Sequence, residues 1–272
     1  MAKSTLRIKN NNENNESFYL QKVYGTATVG LGVAAIGAHA HINKMSIGPI
    51  PIQGGGFMYF LSIVTLIAII STKKKESLDS LLDPLRFNLF LAFALCQGCQ
   101  VGTWIELALR VADDNLIDMI PGTVGSEWMN DTIVKEAFII SAGIFLAFTI
   151  SAFVFPVDQV WIGSILGVGL EACFLVYCGT VFGIFTTACF NVIYICGGVV
   201  VFCGFVVYDT HILLERARGE KQADCIADAI DLFLDFINIF IRLVYIMVQN
   251  KKESQQETHD KKYSGGSKER KE

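Results

Sequence analysis

The sequence predicts an all-α fold: a polytopic helical membrane protein in which six transmembrane helices surround a central seventh helix. The 272-residue chain is 52% hydrophobic, which is high for a soluble protein. Its apolar residues are grouped in blocks of about 18 to 25 residues, the length that crosses roughly 30 Å of hydrocarbon. The last block differs from the others because it carries the most charged residues within its apolar run.

The blocks divide the chain into three regions. Residues 1–21 are polar and rich in Asn, and we expect them to form a disordered, cytosolic N-terminus. Residues 22–248 form the transmembrane domain, and residues 249–272 form a polar, Lys-rich tail. The predicted spans are approximately 23–42, 57–71, 87–109, 133–155, 160–178 and 183–208, followed by the seventh block at 225–248.

The distribution of basic residues predicts the orientation. The loop after the second span contains Lys73, Lys74 and Lys75, whereas the loop 110–131 contains acidic residues and a single Arg. Cytosolic loops of membrane proteins carry an excess of Lys and Arg, so we expect the N-terminus to be cytosolic. The basic tail also favours the cytosol, which leaves open whether the seventh block crosses the membrane or re-enters it.

The seventh block carries a polar stripe. Its members are spaced by three or four residues and therefore share one helix face: Asp228, Asp231, Asp235, Asn238 and Arg242. An ionisable side chain at the middle of a membrane helix costs about 2.5–3.5 kcal/mol even on the lenient insertion scale, and such residues usually face a protein interior or an aqueous cavity. We therefore predict that this block is the central helix, wrapped by the other six.

Two segments near this stripe carry a family resemblance. They are Cys203-Gly-Phe-Val-Val-Tyr-Asp-Thr-His-Ile-Leu213 and Ile230-Asp-Leu-Phe-Leu-Asp-Phe-Ile-Asn-Ile-Phe240. Their order and spacing resemble the transmembrane Bax inhibitor motif family, closest to its Bax inhibitor-1 branch. Weaker similarity in the first and third spans, at Gly37-Ala-His-Ala-His41 and at Gly102 with Glu106, extends the match over nearly the whole chain.

The resemblance implies a function and a site. It implies residence in the endoplasmic reticulum membrane, suppression of programmed cell death, and a pH-dependent calcium leak. Asp209 and Asp235 would form the pH-sensing and gating pair and could bind Ca²⁺ transiently. The auxiliary polar residues would be Asp231, Glu106, His211, Arg242 and Arg86.

The same resemblance implies a set of partners, and this chain differs from the family at several positions. The expected partners are the lipid bilayer, Ca²⁺, H⁺ and membrane proteins that regulate cell death, with no nucleic acid and no cofactor. Bacterial relatives have an Arg late in the second span that binds an aspartate, and this chain has none there. The branch has Gln at the position of His211, and Glu171 is unexpected in the fifth span.

Paired carboxylates explain how such a site could gate an ion. Two carboxylates about 4 Å apart repel by roughly 4 kcal/mol at an effective dielectric constant near 20. They are therefore stabilised by one shared proton, which forms a closed hydrogen-bonded pair. Loss of that proton leaves two charges that separate or bind a cation such as Ca²⁺. The residues alone also allow each aspartate to cap a helix or to pair with an Arg such as Arg242.

Two other functional classes are open at this stage. A membrane scaffold for cell-death or stress regulators would use the aspartates only structurally. An intramembrane aspartyl protease would need Tyr-Asp on one helix and Gly-x-Gly-Asp on the next. Tyr208-Asp209 is present, but no such glycines precede Asp231 or Asp235, so we expect no enzyme activity. Cys96 and Cys99 could form a redox or metal pair, but packing is the favoured interpretation.

Overall fold

The computed structural model describes residues 2–47, 50–51, 55–72, 83–112, 132–155, 158–219 and 224–268. Its first five helices are α1 Ala2–Ile42, α2 Gly56–Ser71, α3 Pro84–Ala112, α4 Thr132–Val154 and α5 Gln159–Val181. The next three elements run on without a break: α6 Thr187–Cys189, a π-helical segment Phe190–Gly197, and α7 Gly198–Ala217. The last helix is α8 Cys225–Lys268, and a two-residue antiparallel pairing joins Ser46–Ile47 to Ile50–Pro51. The predicted all-α class is confirmed.

Four helical stretches of the described residues are long and apolar enough to cross a membrane. They are Asn15–Ile42, Ile133–Val154, Gln159–Val181 and Thr187–Ala217, and α2 is a shorter apolar helix. α3 and α8 contain more polar and charged residues, which fits helices that lie against protein as well as lipid. The chain is therefore a multi-pass helical membrane protein, as the apolar blocks predicted.

The core of the protein is built around α8. This helix packs mainly against α1, α3, α4 and α7. Phe233 of α8 is fully buried, and its ring meets the edges of Phe90 and Phe93 at centroid distances of 5.8 and 6.1 Å. The predicted central position of the seventh block is confirmed. α2 lies farther out on α3, and α5 lies on α7 and the π-helical segment.

Glycines bring α1 and α3 into backbone contact. A Cβ atom on Gly98 would lie 2.0 Å from the carbonyl oxygen of Ala34, and one on Gly37 would lie 2.3 Å from that of Leu95. Small residues allow this close approach, which supplies much of the packing energy between membrane helices. The glycines of the first and third spans thus fix the outer wall against which α8 packs.

Three predicted boundaries differ from the structure. α1 begins at Ala2, inside the segment predicted to be disordered, and Tyr19 is 5% exposed because it packs against α7 and α8 residues. α7 continues to Ala217, beyond the predicted end at 208, because Glu215 and Arg216 find polar partners there. α8 continues to Lys268, past the predicted end of the apolar block at 248.

Candidate functional site

The structure brings Asp209 of α7 and Asp235 of α8 together. Their carboxyl groups lie close enough to interact with each other at the contact between the two helices. Asp235 is 3% exposed and Asp209 is partly buried. Two carboxyl groups can hydrogen-bond only when at least one of them carries a proton, because an ionised carboxylate has no donor. Close contact between these two groups is therefore more favourable when one of them carries a proton than when both are ionised.

The surroundings of this pair are mostly apolar. Cys203, Val206 and Ile239 form a buried cluster on the same helix–helix contact. Oδ2 of Asp235 is buried, and no N–H or O–H group of the described residues reaches it. Low polarity strengthens the repulsion between two charges, so a proton shared by the carboxyl groups would stabilise their contact more here than in water.

Asp209 does not cap a helix. It lies two turns before the end of α7, so the capping alternative does not describe this aspartate. Arg242 does not pair with either aspartate. Its guanidinium donates to the Asn238 carbonyl and Oδ1 at 3.1 and 3.0 Å, and to the Tyr194 carbonyl at 3.3 Å. The observed contacts of these residues therefore support neither helix capping by Asp209 nor an ion pair between Arg242 and the aspartates.

Arg242 is held in an aromatic cage instead. The guanidinium carbon lies 5.0 Å from the ring centroid of Tyr194 and 4.6 Å from that of Phe202, and the residue is 5% exposed. A Cβ on Gly198 would lie 2.2 Å from Nε of Arg242, so the glycine makes the space for the side chain. The π-helical segment presents the Tyr194 carbonyl to the cation. This cage fixes α8 against α7 two turns from Asp235.

A second group of polar contacts lies at the other end of the α7–α8 contact. Arg216 of α7 donates to Oδ1 of Asp228, and the Tyr19 hydroxyl donates to Oδ2 of Asp228 at 2.6 Å. Asp228 is 4% exposed, so its charge is balanced by Arg216 within the protein. The charge of Arg216 also acts on Asp209 and on Asp231.

Arg86, predicted as an auxiliary residue of the pair, lies in this second group. It makes two hydrogen bonds to Asp224, at 3.0 and 3.1 Å, and is 6% exposed. Asp224 also accepts from the Ala227 amide at 3.2 Å and so caps the first turn of α8. The Arg86 contact ties α3 to the beginning of the central helix and does not reach the aspartate pair.

The remaining auxiliary residues are dispersed. Asp231 is exposed near the beginning of α8, and its charge acts on both members of the pair. Glu106 lies 3.2 Å from Nε2 of His41, in a contact between α3 and α1 away from the pair. Nε2 of His211 is buried without a hydrogen bond to any described residue.

The site offers little to a resident metal. Among the described residues, no three or more His, Cys, Asp or Glu side chains come together as metal ligands. Ca²⁺ takes six to eight oxygen ligands, of which the pair could supply only a part, the rest being water. Cys96 and Cys99 are buried in α3 and pack with Ala40 and Met58.

Sequence reasoning missed the group formed by Tyr19, Arg216 and Asp228. Tyr19 fell in a segment predicted to be disordered, and Arg216 fell in a predicted loop. One signal was present: Arg216 follows Asp209 by seven residues, and Asp228 precedes Asp235 by seven. In two antiparallel helices that meet at Asp209 and Asp235, these two positions must also meet, two turns away.

The fold and the site define a class: a multi-pass helical membrane protein with a buried carboxyl pair between its central helix and the preceding span. Residues 16–252 match the family model described as inhibitor of apoptosis-promoting Bax1. The chain therefore belongs to the Bax inhibitor family.

Individual relatives agree with this assignment. The chain is 30% identical over 240 residues to Bax inhibitor 1 of Homo sapiens, covering 88% of this chain and 89% of the relative. It is 29% identical over 248 residues to Bax inhibitor 1 of Oryza sativa subsp. japonica, covering 90% and 86%. Bax inhibitor 1 of Arabidopsis thaliana is 26% identical over 234 residues, covering 85% and 81%.

Proposed function

We propose that this protein is a membrane protein of the endoplasmic reticulum that mediates a pH-regulated calcium leak and suppresses programmed cell death. Asp209 and Asp235 form its pH-sensing gate and contact Ca²⁺ in passage. The observation that supports this most is the proximity of these two carboxyl groups at the α7–α8 contact, where Asp235 is 3% exposed. The relatives' printed name supports the role in cell death.

The gate works through the charge of the pair. With one proton shared, the two carboxyl groups hold α7 against α8. When that proton leaves, two negative charges face each other in an apolar surrounding and repel by roughly 4 kcal/mol at 4 Å. Separation of the helices or binding of a cation relieves the repulsion, and carboxylate oxygens are preferred ligands of Ca²⁺. Closure, pH dependence and cation preference then have one origin.

Asp231 is the proposed site at which cations approach the Asp209–Asp235 pair. It is exposed near the start of α8, on the side of the pair where α7 and α8 are connected. We expect that end to lie in the cytosol, together with the N-terminus, because the basic residues Lys73 to Lys75 favour the cytosolic side. An exposed carboxylate there would attract cations that enter or leave the pathway.

The proposed activity is transport and not catalysis. An intramembrane aspartyl protease would have to place two catalytic aspartates around a water molecule that a substrate helix can approach. Asp235 is instead 3% exposed and lies against Asp209, and Cys203, Val206 and Ile239 form a buried cluster on the same two helices. Membrane proteins that regulate cell death remain candidate partners.

Calcium flux in proteoliposomes tests the proposal. Purified protein is reconstituted with an internal calcium dye, and flux is followed across about pH 6 to 8 for the wild type, Asp209→Asn and Asp235→Asn. Glu136→Gln, which removes an exposed carboxylate from α4, is the matched control. We expect pH-dependent flux in the wild type and control, and a changed pH response in the two variants. If the wild type shows no calcium flux, the proposed calcium leak is contradicted, and a scaffold function becomes the better account.

A further inference from the structure

Three buried hydroxyl groups on three different helices make no hydrogen bond to any residue that the structure describes. They belong to Tyr24 of α1, Thr149 of α4 and Thr210 of α7. Thr149 is 8% exposed and Thr210 is fully buried. Buried hydroxyl groups are nearly always hydrogen-bonded. These three therefore require a partner that the described part of the chain does not supply.

The three hydroxyl groups lie near one another. That of Tyr24 lies close enough to those of Thr149 and Thr210 to interact with both, although none of the three makes a direct hydrogen bond to another. α7 packs against both α1 and α4, so the hydroxyls lie where the three helices meet. Tyr24, Thr149 and Thr210 thus form one hydroxyl cluster, which needs a single partner within reach of all its members.

Apolar side chains pack around the hydroxyl cluster. Tyr24 and Phe145 pack against a buried group that includes Leu213, and Phe145 also packs against the buried group around Val206. Val206 precedes Thr210 by four residues and Leu213 follows it by three, so the three share one face of α7. A hydroxyl group that is surrounded by apolar atoms is costly to bury unless it finds a hydrogen-bonding partner.

Other buried hydroxyls of this protein are satisfied within their own helix. Thr65 in α2 is 7% exposed and donates to the Leu61 carbonyl at 3.0 Å. Ser141 in α4 is fully buried and donates at 2.7 Å to the carbonyl four residues before it. Ser and Thr side chains inside helices commonly make this bond. Thr149 and Thr210 are as deeply buried but lack it, so their hydroxyls are available to a partner between the helices.

We propose that the hydroxyl cluster binds an internal water molecule that links α1, α4 and α7. A buried water typically makes about three hydrogen bonds to polar groups that have no other partner, and the cluster offers three such groups. A hydroxyl group can donate or accept, so one water can satisfy all three members. Water fits better than a metal ion, because the cluster contains no charged side chain.

This water links parts of the fold that hold the candidate site. Thr210 directly follows Asp209, so the water ties the turn of α7 that carries Asp209 to both α1 and α4. Hydrogen bonds through an ordered water are nearly as favourable in enthalpy as direct ones, so such a link stabilises the contact of the three helices. The water site does not depend on calcium transport, and it holds for a scaffold as well as for a channel.

Thermal unfolding of the full-length protein in detergent tests the site through the sign of the change. Tyr24→Phe, Thr149→Val and Thr210→Val each delete one hydroxyl and keep nearly the same shape. Removing a buried hydroxyl that has no partner would raise the unfolding temperature, because its desolvation cost disappears. Removing one that binds water deletes a hydrogen bond and leaves the water with fewer partners. We therefore expect each variant to unfold at a lower temperature, and unchanged or higher temperatures in all three would overturn the proposal.

A double variant separates one shared partner from independent contacts. We expect Thr149→Val with Thr210→Val to lower the unfolding temperature by less than the sum of the two single changes, because both hydroxyls act through the same water. Thr65→Val is the matched control, since Thr65 is similarly buried but bonded within its own helix. Combined with Thr210→Val, it should give additive changes. Additive changes in the Thr149 and Thr210 pair as well would contradict a shared water.

A high-resolution crystal structure of the wild type distinguishes water from direct bonds among the hydroxyls. We expect one density peak within hydrogen-bonding distance, about 2.7–3.2 Å, of Oη of Tyr24 and of Oγ1 of Thr149 and Thr210. In Thr210→Val the peak should weaken or disappear. Hydroxyl groups that contact one another directly, with no peak between them, would overturn the proposal even if the double variant were non-additive.

Discussion

Arg216 and Asp228 form an ion pair two helical turns from the contact between Asp209 and Asp235, on the same pair of helices. A third polar contact lies two turns away on the opposite side. The three layers of the α7–α8 contact are Phe202 with Arg242, Asp209 with Asp235, and Arg216 with Asp228. Successive layers are seven residues apart on each helix, which is the repeat that keeps side chains on one side of a helix pair.

The Arg216–Asp228 ion pair should contribute measurably to stability. Asp228→Asn leaves a guanidinium in a largely buried place without its counter-charge, and we expect a loss of about 2–4 kcal/mol in the free energy of unfolding. Arg216→Gln should cost a similar amount. Thermal unfolding in detergent measures the loss, and the exchanged pair Arg216→Asp with Asp228→Arg should recover part of it. If each single substitution leaves the unfolding temperature unchanged, the ion pair does not stabilise the fold.

The aspartate pair should behave as one unit in calcium flux. The flux of the wild type should rise with pH as the shared proton leaves. Replacing either Asp209 or Asp235 by Asn removes the repulsion, so the pH response should flatten in each single variant. The double variant should add little further change, because coupled residues are not additive. Independent, additive effects in the double variant would show that the two groups do not share a proton.

Asp231 provides a control within the same helix. It lies one turn before Asp235, is exposed, and acts on Asp235 only through its charge. Asp231→Asn should change the amplitude of calcium flux more than its pH dependence. Flux curves for Asp231→Asn and Asp235→Asn, compared across about pH 6 to 8, check this. A lost pH response in Asp231→Asn alone would mean that Asp231 is the sensor.

The contact between α1 and α3 should tolerate no side chain at Gly98. A methyl group there would lie 2.0 Å from the Ala34 carbonyl oxygen, and the two helices would have to move apart. We expect Gly98→Ala to cost about 1–3 kcal/mol, the usual range for overpacking. Gly32→Ala on α1 is the control, because a Cβ there meets nothing within 4 Å. Equal thermal unfolding of the two variants would contradict the close packing.

His211 should modulate the pH response without setting it. It follows Asp209 by two residues, and its Nε2 is buried without a hydrogen bond to a described residue. A positive charge at this position would favour ionised carboxyl groups nearby. His211→Gln should therefore move the pH midpoint of calcium flux to a higher value. An unchanged midpoint would leave His211 with a packing role only.

Glycosylation checks the predicted orientation. Asn130-Asp-Thr132 is an acceptor sequence in the loop that we place in the lumen, and Asn130 lies outside the described residues. Asn15-Glu-Ser17 is a second acceptor, and Asn15 is exposed on α1, on the side that we place in the cytosol. We expect glycan on Asn130 alone, detected by the mass shift on enzymatic deglycosylation. Glycan on Asn15 would reverse the orientation.

The sequence by itself determined the class of fold and the central helix. Apolar blocks of membrane length can only be spanning helices, because backbone groups in lipid must be satisfied within the helix. Asp228, Asp231 and Asp235 then identified α8 as the helix that other helices must cover, since their spacing places them on one face. The family resemblance added the pairing of Asp209 with Asp235, which spacing alone could not provide.

Only the tertiary structure decided which charged groups meet. Arg242 was a candidate partner for the aspartates, but the space beside Gly198 and the rings of Tyr194 and Phe202 hold it two turns away. Tyr19 lay in a segment predicted to be disordered, but its hydroxyl donates a hydrogen bond to the buried carboxylate of Asp228. The reason is general: an ion pair depends on the relative height of two helices, and that height is set by packing across helices, not by the pattern along either one.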